Sequence, residues 1–110
     1  MPLQRPLTSH WFHMLLALAD GERHGQGIMQ AVLYETHGRI RLWPAMLYRN
    51  LDQLCDAGLV TELPARPTSM AGSPRFFRIT ARGRRACAAE AQRLATVVAT
   101  ARSRRLLRKT

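Results

Sequence analysis

From Thr8 or Ser9, either able to cap a helix start, the segment HWFHMLLALAD is apolar on nearly all sides, which predicts a helix enclosed by other elements or by a second subunit. Gly21 stops it. In HGQGIMQAVLYETHG the residues Ile28, Met29, Val32 and Leu33 fall on one face of a second helix, and Gly38 ends the pattern. Gly25 and Gly27 would each weaken an isolated helix by about a kcal/mol relative to alanine, so they mark places where another backbone comes close. RIRL, Arg39 to Leu42, reads as a very short strand. Pro44 then suits a first helical turn, Leu47, Leu51 and Leu54 recur along one side, and Gly58 caps the end, so a third helix is predicted over about Pro44 to Ala57. LVTELPAR alternates apolar and polar residues, PTSMAGSP is turn-forming and RFFRIT returns, which together predict a two-stranded hairpin. Thr80 caps a last, long helix that meets no proline from Ala81 onward. Along it Cys87, Ala91, Leu94, Val98 and Ala101 recur at spacings of 4, 3, 4 and 3, the seam of a helix that packs lengthwise against another helix. The pattern fails at Arg105 and Arg108. Such a seam is short for a free-standing coiled coil, so it is expected to join two subunits together with the apolar first helix.

Three helices followed by a hairpin is the order of a winged helix, a helix-turn-helix variant whose third helix enters the DNA major groove. The predicted fold is therefore mostly α with a small β-hairpin: a winged-helix DNA-binding part over residues 1–80, then a C-terminal dimerisation helix with a basic tail over 81–110. With 110 residues the two parts form one structural unit. At about 100° per residue, Leu47, Leu51 and Leu54 share one side of the third helix while Ala45, Arg49, Asp52 and Asp56 lie opposite, flanked by Met46 and Gln53. Its N-terminal half, Ala45, Met46, Arg49, Asn50 and Gln53, is the half that a groove-reading helix presents to base edges. Arg49 suits guanine and Gln53 adenine, each good pair being worth roughly 1–3 kcal/mol of discrimination. Taken alone, the same pattern also describes an amphipathic helix with a solvated polar face. Arg66 and Arg75 flank the hairpin tip, where they either meet phosphates or stay solvated; Arg78, nearer the strand end, is placed to pair internally.

Composition sharpens this picture. A formal charge of +10, from 17 basic and 7 acidic residues, favours a polyanionic partner, and all but Lys109 of the basic residues are arginine. The run Met14 to Ala19 is too short to span a membrane, and MPLQRPL lacks the features of a signal peptide, so a cytoplasmic protein with reduced cysteines is expected. Cys55 and Cys87 form no CxxC pair. His10 and His13 lie one turn apart without a carboxylate or thiol to complete a metal site, so no metal or cofactor is expected. No phosphate-cradling glycine loop or nucleophile with its base is present either, which argues against an enzyme. Cys87 reads as a small apolar thiol in a packed interface, with redox sensing as the alternative. Trp43 reads as a local packing plug, and RSRRLLRKT as a frayed basic terminus, with contact to DNA flanks or an anionic surface as the alternative. A nonspecific architectural or RNA-binding protein, or an adaptor that uses its long helix, remain the rival classes.

Three blocks, LLALADGERHGQGIM (Leu15 to Met29), PAMLYRNLDQLCDAGLV (Pro44 to Val60) and RFFRITARGRR (Arg75 to Arg85), resemble in order and spacing the short form of the PadR family of bacterial transcriptional regulators. The resemblance covers roughly Leu7 to Ala101. It implies a dimeric winged-helix repressor, completed by its C-terminal helix, that binds pseudo-palindromic double-stranded DNA and answers to a ligand. It also implies that Tyr48 lies near a phosphate, although the position of Tyr48 on the helix equally suits a half-buried ring. Where the family commonly has glycine or a small residue and then threonine before the LY pair, Ala45 and Met46 stand here. Some short members bind flat aromatic molecules at the dimer centre through a tryptophan of the last helix, which here has no aromatic residue. Trp11 and Leu15 of the first helix are then the candidates to line a cavity for a small aromatic effector, although a large apolar residue at the place of Trp11 is more often plain interface packing.

Overall fold

In the computed structural model, which describes residues 7–64 and 75–108, Thr8 rather than Ser9 caps the first helix: its hydroxyl accepts the Trp11 N–H at 3.2 Å. This helix, α1 (Ser9–Leu18), turns Met14, Leu15, Ala17 and Leu18 inward. Arg23 closes its far end, its Nε donating to the Ala17 carbonyl at 2.7 Å. A two-residue strand β1 (Arg23–His24) leads into α2 (Gly25–Glu35), where the His24 imidazole is the cap, its Nδ1 accepting the Gly27 N–H at 2.8 Å. α3 (Pro44–Asp56) follows with proline in its first turn, then β2 (Val60–Glu62), β3 (Phe76–Ile79) and α4 (Ala81–Ser103).

RIRL forms no strand, contrary to the sequence pattern. Leu42 is fully buried and Ile40 half-buried, so the segment alternates as a strand would, but among the described residues it pairs with no strand; instead the Ile40 N–H donates to the Thr36 hydroxyl at 3.0 Å. The third strand is β1, which pairs antiparallel with β3 (Arg23 opposite Phe77, His24 opposite Phe76), while β2 pairs with the other edge of β3 from Val60–Ile79 to Glu62–Phe77. The expected two-stranded hairpin is thus a three-stranded sheet in the order β1-β3-β2. Two polar residues carry no period from which a strand can be read; only tertiary pairing makes β1 one.

Ile28 and Val32 of α2, Leu47, Leu51 and Leu54 of α3, and Phe77 of β3 meet the inner face of α1 in one core. Gly25 and Gly27 were expected to admit another backbone. Instead, Gly25 faces the Tyr48 phenol, onto whose oxygen a Cβ would fall, and Gly27 lies beside the His24 ring. The close backbone approach is at Gly83, where a Cβ would fall on the Leu59 carbonyl oxygen and 2.9 Å from Ile79 Cγ1. Thr80 secures the same junction: its hydroxyl donates to the Gly58 carbonyl at 2.7 Å and accepts the Gly83 N–H at 2.9 Å. Gly58 itself has φ +76°, a left-handed turn that ends α3.

From that junction α4 packs on the body through Gly83, Ala86, Cys87 and Glu90, one face at helical spacing. Arg93 holds the Glu90 carboxylate at 3.1 Å and keeps it below the usual carboxylate range, chiefly by hydrogen bonding. Beyond Glu90 the helix leaves the body. The radius of gyration, 15.9 Å, accordingly exceeds the about 13 Å of a compact chain of this length. On the expected seam Cys87 is buried, Leu94 and Ala101 are half-buried, and Ala91 and Val98 are exposed. Leu16 of α1 is exposed as well.

Candidate nucleic-acid interface

α3 is fixed by the burial of Leu47, Leu51 and Leu54, which leaves Ala45, Arg49, Asp52 and Gln53 exposed and Met46 half-buried. Arg49 and Gln53 make no side-chain hydrogen bond or ion pair among the described residues, so their polar groups remain available to a partner. Asn50, grouped with them by sequence, is committed elsewhere. Its Nδ2 donates to the Met46 carbonyl at 2.8 Å, and its Oδ1 accepts from Trp11 Nε1 at 3.0 Å, tying α3 to α1.

The Arg75 guanidinium is held within the protein. Nε donates to Glu62 Oε2 at 3.0 Å, and Nη2 donates to Glu62 Oε1 at 2.8 Å and to Asp52 Oδ1 at 3.1 Å. Its carbon lies 5.2 Å from the Tyr48 ring centroid and 5.3 Å from that of Phe77. These contacts link the start of β3 to β2 and to the outer face of α3. Hydrogen bonding to Glu62, with a smaller contribution from Asp52, raises the Arg75 pKa, and Arg75 in turn holds the Glu62 carboxyl below its ordinary value. Tyr48 is a half-buried ring, the alternative its helical position suggested. Arg78 is exposed and forms no ion pair among the described residues, although sequence position suited it to one. Arg66 lies outside the described residues.

Trp43 is not a packing plug. It is 60% exposed, and the Arg41 guanidinium carbon stands 5.5 Å from its ring centroid. Leu42, its neighbour, fills the core instead. Of the two candidate ligand-lining residues, Leu15 is wholly enclosed in the core and Trp11 is half-buried. Burial raises the Cys87 thiol pKa; burial first, then Glu62 and Asp52, raises that of Cys55, so neither is poised as a thiolate. Among the described residues no group of three or more His, Cys, Asp or Glu side chains could hold a metal. His13 Nδ1 is buried without a hydrogen-bond partner. Among the same residues no helix is long and apolar enough to cross a membrane.

The model of the transcriptional regulator PadR-like family matches residues 14–89. The chain belongs to that family. Solved structures share the fold of this PadR-like chain at low identity. A PadR family transcription regulator from Clostridium difficile is 12% identical with TM-score 0.72, over 87% of this chain and 97% of its own. A transcriptional regulator from Clostridium thermocellum is 16% identical with TM-score 0.69, over 88% of this chain and 96% of its own. H. salinarum RosR is 21% identical with TM-score 0.62, over 90% of this chain and 96% of its own. No curated protein sequence matches the chain.

Sequence reasoning missed two residues of this candidate site, Asp52 and Glu62, as the partners of Arg75. Glu62 was readable as an outward position on β2 and Asp52 as part of the polar face of α3. What brings both to Arg75 is the strand register, Glu62 opposite Phe77, and the seating of the sheet beside α3.

Proposed function

We propose that the protein is a homodimeric, DNA-binding transcriptional repressor whose α3 helices enter successive major-groove faces of a pseudo-palindromic operator. The observation that carries this is the pair of uncommitted side chains, Arg49 and Gln53, on the exposed side of a helix whose other side is locked into a winged-helix core. Ala45 and Met46 are the neighbouring contacts and the place where operator preference departs from that of relatives. Tyr48 and Arg75 shape the base of the wing, and Arg66 is the wing's further candidate for a phosphate. Arg75 reaches a phosphate only by giving up part of its hold on Glu62 and Asp52.

The second copy is proposed to cover Ala91, Leu94, Val98 and Ala101, continuing the face that begins at Cys87, together with Trp11 and Leu16 of α1. Exposed Val97 and Val98 favour such a cover. A small aromatic effector at the dimer centre would meet Trp11; Leu15 would meet it only after the core opened. In this function the chain performs no catalysis.

The test is selection of bound sequences from random duplex DNA at a stated salt concentration. A palindrome with half-sites about 34–36 Å apart is expected. Equal affinity for every sequence would replace the repressor with a nonspecific architectural protein.

A further inference from the structure

Between Glu35 and Asp52 the chain carries Arg39, Arg41 and Arg49 and no acidic residue, and in the middle of that stretch stands Trp43, 60% exposed. The indole is not a loosely tethered side chain. Leu42 before it is 0% exposed and Leu47 after it 2%, so the backbone is anchored in the core on both sides, and Pro44 opens α3 directly behind it. Arg41, itself exposed, holds its guanidinium carbon 5.5 Å from the ring centroid, which fixes a cation against a flat apolar surface.

An indole left this exposed forgoes apolar burial, and tryptophan and arginine are the side chains that most often carry the energy of an interface. A partner for this pair must offer an apolar face and an anion within one side chain's reach of each other. The sugar–phosphate backbone of nucleic acid repeats that combination at every nucleotide, and the unbroken positive charge from Arg39 to Arg49 complements it. An acidic protein surface would satisfy the arginines but leave the ring unpaired.

We propose that Trp43 and Arg41 grip the backbone of duplex DNA beside the groove that α3 enters, Trp43 packing on a deoxyribose and Arg41 pairing with the adjacent phosphate. This rests on the DNA-binding reading above and extends its footprint to the segment ahead of α3. The grip carries no base information, so it acts on all sequences alike. It sets where α3 sits along the groove.

The probe is a mixed-sequence duplex of about 30 base pairs, long enough for two half-sites a helical turn apart. Titrated into the full chain, it should shield the indole fluorescence from acrylamide in the wild type and not in Trp43→Phe, which retains only the half-buried Trp11. Trp43→Ala should weaken binding about tenfold at equal salt, the scale of one interface side chain. Arg41→Gln should lower the slope of log affinity against log salt by about one. Because both residues are exposed, the thermal unfolding of these variants should match the wild type. Duplex binding that leaves indole quenching, the Trp43→Ala affinity and the Arg41→Gln salt slope all unchanged would overturn the grip and leave the DNA-binding reading standing. A wild-type protein that binds no duplex at all would overturn both.

Discussion

Trp11 Nε1 donates a hydrogen bond to Asn50 Oδ1 across 3.0 Å, joining the helix expected to meet a second subunit to the helix expected to meet DNA. The bond is part-buried and the Asn50 amide is also spent on the Met46 carbonyl, so neither residue is free for a base. Trp11→Phe or Asn50→Ala should each lower stability by about 1 kcal/mol, and the double variant by less than the sum. Urea unfolding of the four proteins measures this; strict additivity would mean that the bond couples nothing.

Arg49→Ala should relax preference at one operator position by roughly 1–3 kcal/mol while leaving the unfolding midpoint nearly unchanged, since Arg49 is exposed and uncommitted. Asn50→Ala should do the reverse, shifting stability and not base preference. Parallel sequence selections with the two variants separate these roles. An unaltered profile for Arg49→Ala would remove it as a base reader.

The Glu62–Arg75 pair should show itself in acid. Arg75 depresses the Glu62 pKa in the folded protein, so the stabilisation is complete above the unfolded carboxyl value of about 4.3 and is lost as pH falls through the lower folded value. The pair is largely solvated, so its worth is below about 1 kcal/mol. Glu62→Gln should therefore be slightly less stable than wild type at neutral pH, with the difference fading below about pH 4. Denaturant midpoints measured across that range give the comparison, and a gap that persists in strong acid would point to packing rather than charge.

Gly83→Ala should cost about 1–3 kcal/mol, because the new methyl meets the Leu59 carbonyl, which is backbone and cannot swing aside. Thermal unfolding reads the loss. No loss would mean that α4 is not seated on the α3–β2 turn as described.

Val98→Asp should separate subunits without unfolding them. Val98 is 39% exposed in the single chain, so the protomer core does not depend on it, whereas a carboxylate on the proposed seam would be buried against its symmetry mate. Sedimentation should report a monomer with the wild-type helical content. A dimer of undiminished strength would move the interface elsewhere.

Much of the fold was legible because it follows period. The leucines of α3 and the caps at Thr8 and Thr80 announce themselves through spacing and residue type, and the structure keeps them within a residue or two. What was illegible depends on pairing between distant segments. Arg23 and His24 become a strand only because Phe76 and Phe77 lie beside them, and Ile40 and Leu42 imitate a strand because a loop that plugs a core also alternates. In the site, spacing separated the exposed Arg49 from the buried leucines but could not show Asn50 turned to Trp11 or Arg75 drawn to two carboxylates. Trp43 misled for a related reason: apolar character suggested burial, while its neighbour Leu42 occupies the core.

The junction at Thr80 and Gly83 makes α4 a lever. Its root is clamped to the turn that ends α3 and its packed face holds it to the body as far as Glu90; residues 91–103 beyond extend about 20 Å, so a tilt of about 10° carries the tip about 3 Å. In the proposed dimer the tips are held together, and the same tilt is returned to the roots as a change in the separation of the two α3 helices. In that proposed dimer, the seating of α4 on the body, tightest where Gly83 meets the Leu59 carbonyl, would set how much variation in half-site spacing the pair can follow.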